Sequence, residues 1–283
     1  MMTEFNPGLI MIIGGLLVPL VSGWARRILL LGLPVIGLAY TIMLDPGALV
    51  NFTIFSYTLE LLRVDKLSLV WGYIFHIAAF LGVLYAIHED DPLQATMAQL
   101  YMGSAVGAVF AGDLITLFVF WEVTAISSVF LIWATGSERS FRAGMRYLII
   151  QVGSGVLLLA GAILILNDTG SIAFNHIGLE SLGGKLIFIA FGIKCAFPLL
   201  HNWLQDSYPE ATVTGTVILS AFTTKLAVYA LARGFAGTEI LIYIGAVMTA
   251  FPVFFAVIEN NLRRVLAYSL NNQLGFMVCG IGL

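Results

Sequence analysis

Charged side chains are scarce in this sequence, in which Lys, Arg, Asp and Glu together make up 10% of the 283 residues. Apolar residues make up 60%, and the mean hydropathy is +0.98. An ordinary soluble domain has about 25% charged and roughly 45–50% apolar residues. The composition therefore excludes a soluble globular protein and predicts an all-α, polytopic membrane protein.

Cysteine is rare as well. The two cysteines, Cys195 and Cys279, both lie in apolar runs. Their number excludes a disulfide framework, and they do not have the spacing of metal ligands. No stretch is typical of a flavin, iron–sulfur or nucleotide site. We therefore expect no cofactor, no metal, no catalytic site and no nucleic-acid partner, and any coupled redox chemistry would reside in partner subunits.

Long apolar runs recur along the chain, and each needs about 20 residues to cross a bilayer. They predict about ten transmembrane helices, at roughly 8–23, 27–44, 67–87, 93–111, 114–134, 143–166, 184–204, 212–233, 238–258 and 264–283. The acidic start and the many later spans indicate that the first run is a membrane helix and not a cleaved signal. Residues 45–66 alternate in polarity in places and predict an extended hairpin on the membrane surface.

The basic residues predict an orientation. Loops on one side of this arrangement carry Arg26, Arg27, Arg139, Arg142, Arg146, Arg263 and Arg264. Loops on the other side carry Arg63, Lys66, Lys185 and Arg233. The positive-inside rule places the first group in the cytoplasm. We therefore expect a multi-pass protein of the cell inner (plasma) membrane with its N-terminus outside.

Three charged residues remain inside the predicted spans: Glu122, Lys194 and Lys225. Glu122 lies nine residues after Asp113, or about 13 Å along a helix. A charge near the bilayer centre costs roughly 2.5–3.5 kcal/mol on insertion scales. An isolated ion there tends to neutralise, whereas a close pair keeps both charges. A lysine whose partner approaches and retreats has a tunable proton affinity, which is the chemistry of a proton relay.

The region after Lys194 predicts a broken helix. Pro198 has no N–H to donate to the carbonyl of Lys194, so the helix is expected to kink or break there. Broken helices at membrane depth are tolerated where they line a water-filled cavity. The polar string that follows contains His201 and Asp206, which are candidates for proton entry or for the cavity wall.

Other interpretations of the same residues stay open. Glu122 and Lys194 would also suit a structural ion pair between helices. Lys225 would reach an interface only by snorkelling from well inside its span. His201, near an interface, would then simply be solvated.

Several ordered motifs resemble a known family. They are LFVFWE ending at Glu122, K-x8-W from Lys194 to Trp203, K-x3-Y from Lys225 to Tyr229, and NLRRVLAYS at 261–269. The set resembles the antiporter-like membrane subunits of respiratory complex I, membrane-bound hydrogenases and Mrp-type Na+/H+ antiporters. The string DSYPEATVTGTVILSAFTTK is most similar to the branch that contains the Mrp D subunits.

The resemblance implies a fold of about fourteen helices, in which two five-helix inverted repeats each contain one broken helix. Residues 1–92 would form three N-terminal transmembrane helices with the surface hairpin 45–66. Residues 93–233 would form the complete first proton-channel repeat, with a broken seventh helix, and 234–283 the start of the second. The second repeat would therefore be incomplete, either because another chain supplies the rest or because the product is truncated.

The resemblance also implies roles. Glu122 matches the glutamate that modulates the lysine of the seventh helix, here Lys194, and Lys225 matches the lysine that passes protons onward. Gln205, Tyr208 and Asn261 depart from residues common in complex I relatives, which weakens that assignment.

The implied function is a proton-conducting subunit of a multisubunit complex, most similar to the Mrp D subunits. The alternatives are a proton-pumping subunit of an NADH-quinone oxidoreductase or hydrogenase, or a structural subunit that conducts nothing. Expected partners are other membrane subunits, a chain carrying the missing repeat, protons, Na+ and lipid. We also expect that the chain alone does not carry ions.

Overall fold

The computed structural model describes residues 4–54 and 57–283. Its elements are α1 Gly8–Leu16, α2 Gly23–Met43, β1 Leu49–Ile54, β2 Tyr57–Arg63, α3 Lys66–Tyr85, α4 Pro92–Val109, α5 Leu114–Trp133, α6 Glu138–Thr169, α7 Leu182–Lys194, α8 Asn202–Ser207, α9 Val213–Gly234, α10 Ile240–Ile258 and α11 Leu262–Gly282. The chain forms two compact units, which we call the first unit (up to Leu131) and the second unit (from Ile132). The prediction of an all-α membrane protein is confirmed.

Within the described residues, each of the ten predicted spans contains one main helix, and α8 is an additional short one. Six of the helices are long and apolar enough to cross a membrane, namely α2, α3, α5, α6, α9 and α10. Helix α1 and the turn after it form a shorter apolar segment. Ten membrane crossings therefore stay a prediction, as does the division of the chain into three functional parts.

The first unit contains a two-stranded antiparallel sheet, β1–β2. The residues between the strands, 55 and 56, lie outside the described part of the chain, as do 1–3. The Asp113 carboxylate accepts from the Glu60 amide at 2.7 Å, and the Arg63 amide donates to the Phe110 carbonyl at 2.8 Å. The hairpin is thus fixed to the turn between α4 and α5. Its predicted position on the membrane surface stays a prediction.

The opposite end of the first unit is defined by arginine contacts. Arg26, at the start of α2, donates through Nη1 to the carbonyl of Asp90 at 2.8 Å. Asp90 precedes α4, whereas the hairpin follows the end of α2. The start of α2 and the loop before α4 thus meet at one end of this unit, and the hairpin meets the turn between α4 and α5 at the other end. This is expected for successive helices that cross a bilayer in opposite directions.

Small residues allow close helix packing in the second unit. A Cβ added to Gly161 of α6 would lie 2.7 Å from the carbonyl oxygen of Gly183 in α7. A Cβ on Gly245 of α10 would lie 2.7 Å from the carbonyl oxygen of Gly275 in α11. Small residues at such contacts are typical of membrane helices, because lipid supplies no hydrophobic force that would drive the helices together.

The second unit also has two distinct ends. At one end Arg139, at the start of α6, binds Glu210 with an Nε–Oε1 distance of 2.9 Å. At the other end the Ile177 amide, in the loop after α6, donates to the Gly234 carbonyl at 2.8 Å. The loops before α6 and before α9 thus share one end, and the loops before α7 and after α9 share the other.

Helix α7 ends at Lys194 in a Schellman motif. The amide of Ala196 donates to the Ile193 carbonyl at 3.1 Å, and that of Phe197 donates to the Gly192 carbonyl at 2.9 Å. Ala196 has a positive φ of 59°, a left-handed conformation that glycine usually adopts at this position. The Phe197 ring packs on Gly192, where an added Cβ would lie 2.5 Å from Cδ2.

The predicted broken seventh helix is confirmed, and the break extends to both sides of Pro198. The first half ends four residues before Pro198, and α8 begins at Asn202, so the predicted span 184–204 is two helices. The ring of a proline disfavours the helical conformation for the residue before it. Proline commonly follows a left-handed helix cap because it cannot continue the helix. The proline therefore stops the chain from re-entering a helix after Ala196 has ended α7.

The conformation at Ala196 gives a testable expectation. Ala196 and Ala190 are both fully buried, so Ala→Gly removes one buried methyl, about 0.8 kcal/mol, at either site. Ala190→Gly also weakens a helix interior, for a total of about 2 kcal/mol. Ala196→Gly relieves a left-handed strain of about 1–2 kcal/mol, so its net effect should stay below about 0.5 kcal/mol. Unfolding of the purified protein in detergent measures the free energy of unfolding of both variants. Equal losses of this free energy would contradict the left-handed conformation of Ala196.

Candidate functional site

Lys194 occupies the buried end of α7. Its side chain is fully buried, and it is the last residue of the helix. The preceding carbonyl, that of Ile193, accepts a hydrogen bond of 2.9 Å from the Trp203 indole. The C-terminus of a helix carries a partial negative charge that stabilises a nearby cation. The fold therefore places this ammonium group where the backbone itself offsets part of its burial cost.

Lys225 lies in the middle of α9 and is largely shielded from solvent. Its Nζ donates to the carbonyl of Ser220 at 2.9 Å. The side chain therefore points toward the start of α9, along its own helix. A backbone carbonyl is the acceptor that allows an ammonium group to remain within a membrane-spanning helix.

The two lysines both belong to the second unit. Helices α7 and α9 pack together, and the Phe174 ring contacts both Phe191 of α7 and Tyr229 of α9, with centroid distances of 6.1 and 6.5 Å. Lys194 is the last residue of α7, and Lys225 lies in the middle of α9. The structure thus places these two predicted relay residues on neighbouring helices.

Glu122 lies in the first unit, near the middle of α5, and is half-buried. The start of α5 is fixed by Asp113, whose Oδ1 accepts from the amides of Ile115 and Thr116 at 2.8 Å. Glu122 is the ninth residue of α5. Its depth in the membrane and its relay role both stay predictions.

The predicted entry residues lie around α8. His201 immediately precedes α8 and is half-buried, with its ring 4.7 Å from that of Phe251 in α10. Asp206 binds Arg146 of α6 through Oδ2, at 2.8 Å from Nε and 2.6 Å from Nη2. The Arg146–Asp206 pair is partly exposed. Asp206 therefore fixes α8 to α6 at the arginine-rich end of the unit, and its role in proton entry stays a prediction.

A cavity of about 230 Å³ opens between α9 and α11. Its polar lining consists of Tyr208, Thr216, Ser220, Arg263, Ser269 and Gln273. Arg263 donates through Nη2 to the Thr216 hydroxyl at 2.6 Å and to the Ala211 carbonyl at 2.7 Å. Ser220, whose carbonyl accepts from Lys225, is thus one of the residues that line this cavity.

Sequence reasoning missed two buried amide side chains in the second unit. They are Gln151 of α6 and Asn271 of α11. Neither carries a charge, so neither produced the signal that identified the lysines. The available signal was weaker, namely a polar residue inside an apolar helical run.

Comparison with known proteins identifies a family. A profile described as "NADH:quinone oxidoreductase/Mrp antiporter, TM" matches residues 111–283. The D subunit of the Na(+)/H(+) antiporter of Alkalihalophilus pseudofirmus is 31% identical over 62% of this chain and 40% of its own length. The M subunit of the NADH-quinone oxidoreductase of Escherichia coli K12 is 26% identical over 78% of this chain and 49% of its own. The chain thus spans less than half the length of these relatives.

Solved structures share the fold. The Mrp complex from Dietzia sp. DQ12-45-1b contains a chain that matches 98% of this one with a TM-score of 0.84 and 22% identity, over 57% of its own length. Respiratory complex I from Thermus thermophilus with bound NADH contains one that matches 98% with a TM-score of 0.81 and 20% identity, over 64% of its length. The predicted antiporter-like fold is confirmed.

Tyr208 gives a test of how the broken region is held. Its hydroxyl is buried and donates to the Leu219 carbonyl of α9 at 3.0 Å. Tyr208→Phe removes only that hydroxyl and should lower the free energy of unfolding by about 1 kcal/mol. Tyr243→Phe is the matched control, because its hydroxyl bonds to Glu239 at an exposed site. If Tyr208→Phe lowers the free energy of unfolding in detergent no more than Tyr243→Phe does, the Tyr208–Leu219 bond does not stabilise the broken region.

Proposed function

Because this chain belongs to the NADH:quinone oxidoreductase/Mrp antiporter transmembrane family, we propose that it conducts protons as a membrane component of a multisubunit complex. The observation that carries this proposal is a fully buried lysine, Lys194, at the end of a broken helix that packs against α9, the helix that carries the partly buried Lys225. Ionisable groups at membrane depth mark ion and proton pathways by default.

The proposed path uses three residues. Lys194 holds a proton at the end of α7, and Lys225 receives it in the middle of α9. Glu122 modulates the proton affinity of Lys194, a role that rests on the family resemblance of the LFVFWE motif. His201 lies beside the broken segment, and Ser220, whose carbonyl accepts from Lys225, lines the cavity between α9 and α11. Each is a route by which water would reach the lysines.

We propose the Mrp D type as the more specific assignment. It is supported by 31% identity to a relative named as the D subunit of a Na(+)/H(+) antiporter and by the string from Asp206 to Lys225. On this assignment the partners are the other membrane subunits of an Mrp-type assembly, and Na+ is exchanged for protons. The second candidate is a proton-pumping subunit of an NADH-quinone oxidoreductase, supported by 26% identity to the M subunit of such a complex.

We also propose the orientation. The cytoplasmic side would be the arginine-rich end of each unit, at Arg26 in the first and Arg139 in the second. The N-terminus would then lie outside the plasma membrane. The positive-inside rule supports this assignment.

Replacement of Lys194 tests the relay. In the complex purified through a tag on this chain and reconstituted in proteoliposomes, Lys194→Met should abolish proton transport measured with a pH-sensitive dye. Lys185→Met is the matched control, because Lys185 lies on the same helix but is exposed. The control should transport at the native rate.

The same assay separates conduction from a structural role. If the two buried lysines only support packing, Lys194→Met and Lys225→Met would leave the transport rate of the assembled complex unchanged. Loss of transport with intact assembly, measured by gel filtration, supports the relay. Native transport in Lys194→Met rules it out.

Cysteine labelling tests the orientation. Glu138→Cys, at the exposed start of α6, should react with an impermeant maleimide only from the cytoplasmic side. Asn51→Cys, exposed on β1, should react only from outside. Both are made in a background with Cys279→Ser, since Cys195 is fully buried but Cys279 is partly exposed. The reverse pattern would overturn the proposed orientation.

A further inference from the structure

Gln151 is a fully buried amide in the middle of α6. Neither its Oε1 nor its Nε2 forms a hydrogen bond to any residue in 4–54 or 57–283. A buried polar group left without a partner costs roughly 1–3 kcal/mol. Buried amides that do not bond to protein are normally satisfied by bound water. Gln151 is therefore placed to hold water inside the second unit.

The neighbours of Gln151 on the same face of α6 show where it points. One turn earlier, the Tyr147 hydroxyl lies 3.4 Å from the Thr223 hydroxyl of α9. One turn later, the Ser154 hydroxyl donates to the Ala190 carbonyl of α7 at 2.8 Å. Residues three and four apart share a helix face. Gln151 therefore faces the region where α7 and α9 meet.

The packing register places Gln151 level with Lys194. Helices α6 and α7 are antiparallel, because Gly161 contacts Gly183 and Ser154 contacts Ala190. Gln151 lies three residues before Ser154 on α6, and Lys194 lies four residues after Ala190 on α7. Because the helices are antiparallel, both steps go about one turn in the same direction, so Gln151 and Lys194 lie at the same level. On α9, Thr223 contacts Tyr147, and the Nζ of the nearby Lys225 points back toward Ser220. The register thus places Gln151 at the level of Lys194, on a face of α6 that also contacts α9.

We propose that Gln151 is a positioning residue that binds a water molecule between Lys194 and Lys225, and that the proton passes through this water. The water accepts a proton from the Lys194 ammonium and gives one of its own protons to the neutral amine of Lys225, so its charge is unchanged afterward. The amide suits this task because it both donates and accepts but does not ionise. This inference rests on the proposed proton path.

The test compares Gln151→Met with Gln151→Asn in the reconstituted complex. Methionine keeps the volume but removes both polar atoms, so proton flux should fall roughly five- to tenfold, the factor that one hydrogen bond contributes to a rate. Its unfolding temperature should not fall, because an amide without a protein partner is replaced by an apolar group of similar shape. Gln151→Asn keeps the amide and should retain at least half of the flux.

Ser154→Ala is the control for packing on the same face. It removes the bond to the Ala190 carbonyl, so its unfolding temperature should fall while proton flux per folded complex stays near native. If Gln151→Met instead lowers stability and flux together and Gln151→Asn does not restore them, Gln151 is a packing residue and the inference is wrong.

Lys194→Met distinguishes the water-positioning role of Gln151 from the proposed proton path itself. Native flux in Gln151→Met, with none in Lys194→Met, would overturn the water-positioning role and leave the proton path intact. Native flux in Lys194→Met would overturn the path itself. A map of the complex that resolves water should show density within hydrogen-bond distance of the Gln151 amide, and its absence at that resolution would also overturn the inference.

Discussion

The cost of keeping an ammonium group inside a membrane explains much of the architecture of the second unit. On insertion scales each such charge costs roughly 2.5–3.5 kcal/mol. Lys194 meets part of this cost at the C-terminus of α7, where the helix dipole favours a cation. Lys225 meets part of it through the carbonyl of Ser220. A backbone carbonyl thus supports Lys225, whereas the support for Lys194 depends on α7 ending at that residue.

Ending a helix at this depth creates a second requirement, because irregular backbone must not face lipid. The segment after Lys194 satisfies part of it through its own Schellman bonds and through the Trp203 indole. Neighbouring helices supply the remainder. Tyr208 donates to α9, and Asp206 binds Arg146 of α6. The broken region is thus fixed by hydrogen bonds within the segment and by contacts with α6 and α9. It is therefore packed against protein.

Much of this could be predicted from the sequence. Apolar runs predict the helices because length and hydropathy decide which segments enter a bilayer, and Lys194 and Lys225 stand out because charge is costly there. The left-handed end of α7 could not be predicted, since Ala196 adopts a conformation that usually requires glycine. The placement of the two lysines on neighbouring helices depends on packing between α7 and α9, which no local pattern encodes. Gln151 gave little signal, because a neutral amide is far less costly to bury than an ion.

The distribution of buried amides connects stability with function. Among the described residues, three amide side chains are buried with both polar atoms outside any protein hydrogen bond: Gln151, Gln205 and Asn271. All three belong to the second unit, as do the fully buried Lys194 and the partly buried Lys225. Apolar groups of the same shape would be as stable or more stable at such sites. Packing alone therefore does not explain these amides. Their polar atoms suit an interior that keeps water near the lysines. On the proposed path, proton transfer to Lys225 would need such water, because the backbone carbonyl that accepts from its ammonium group has no proton to pass on.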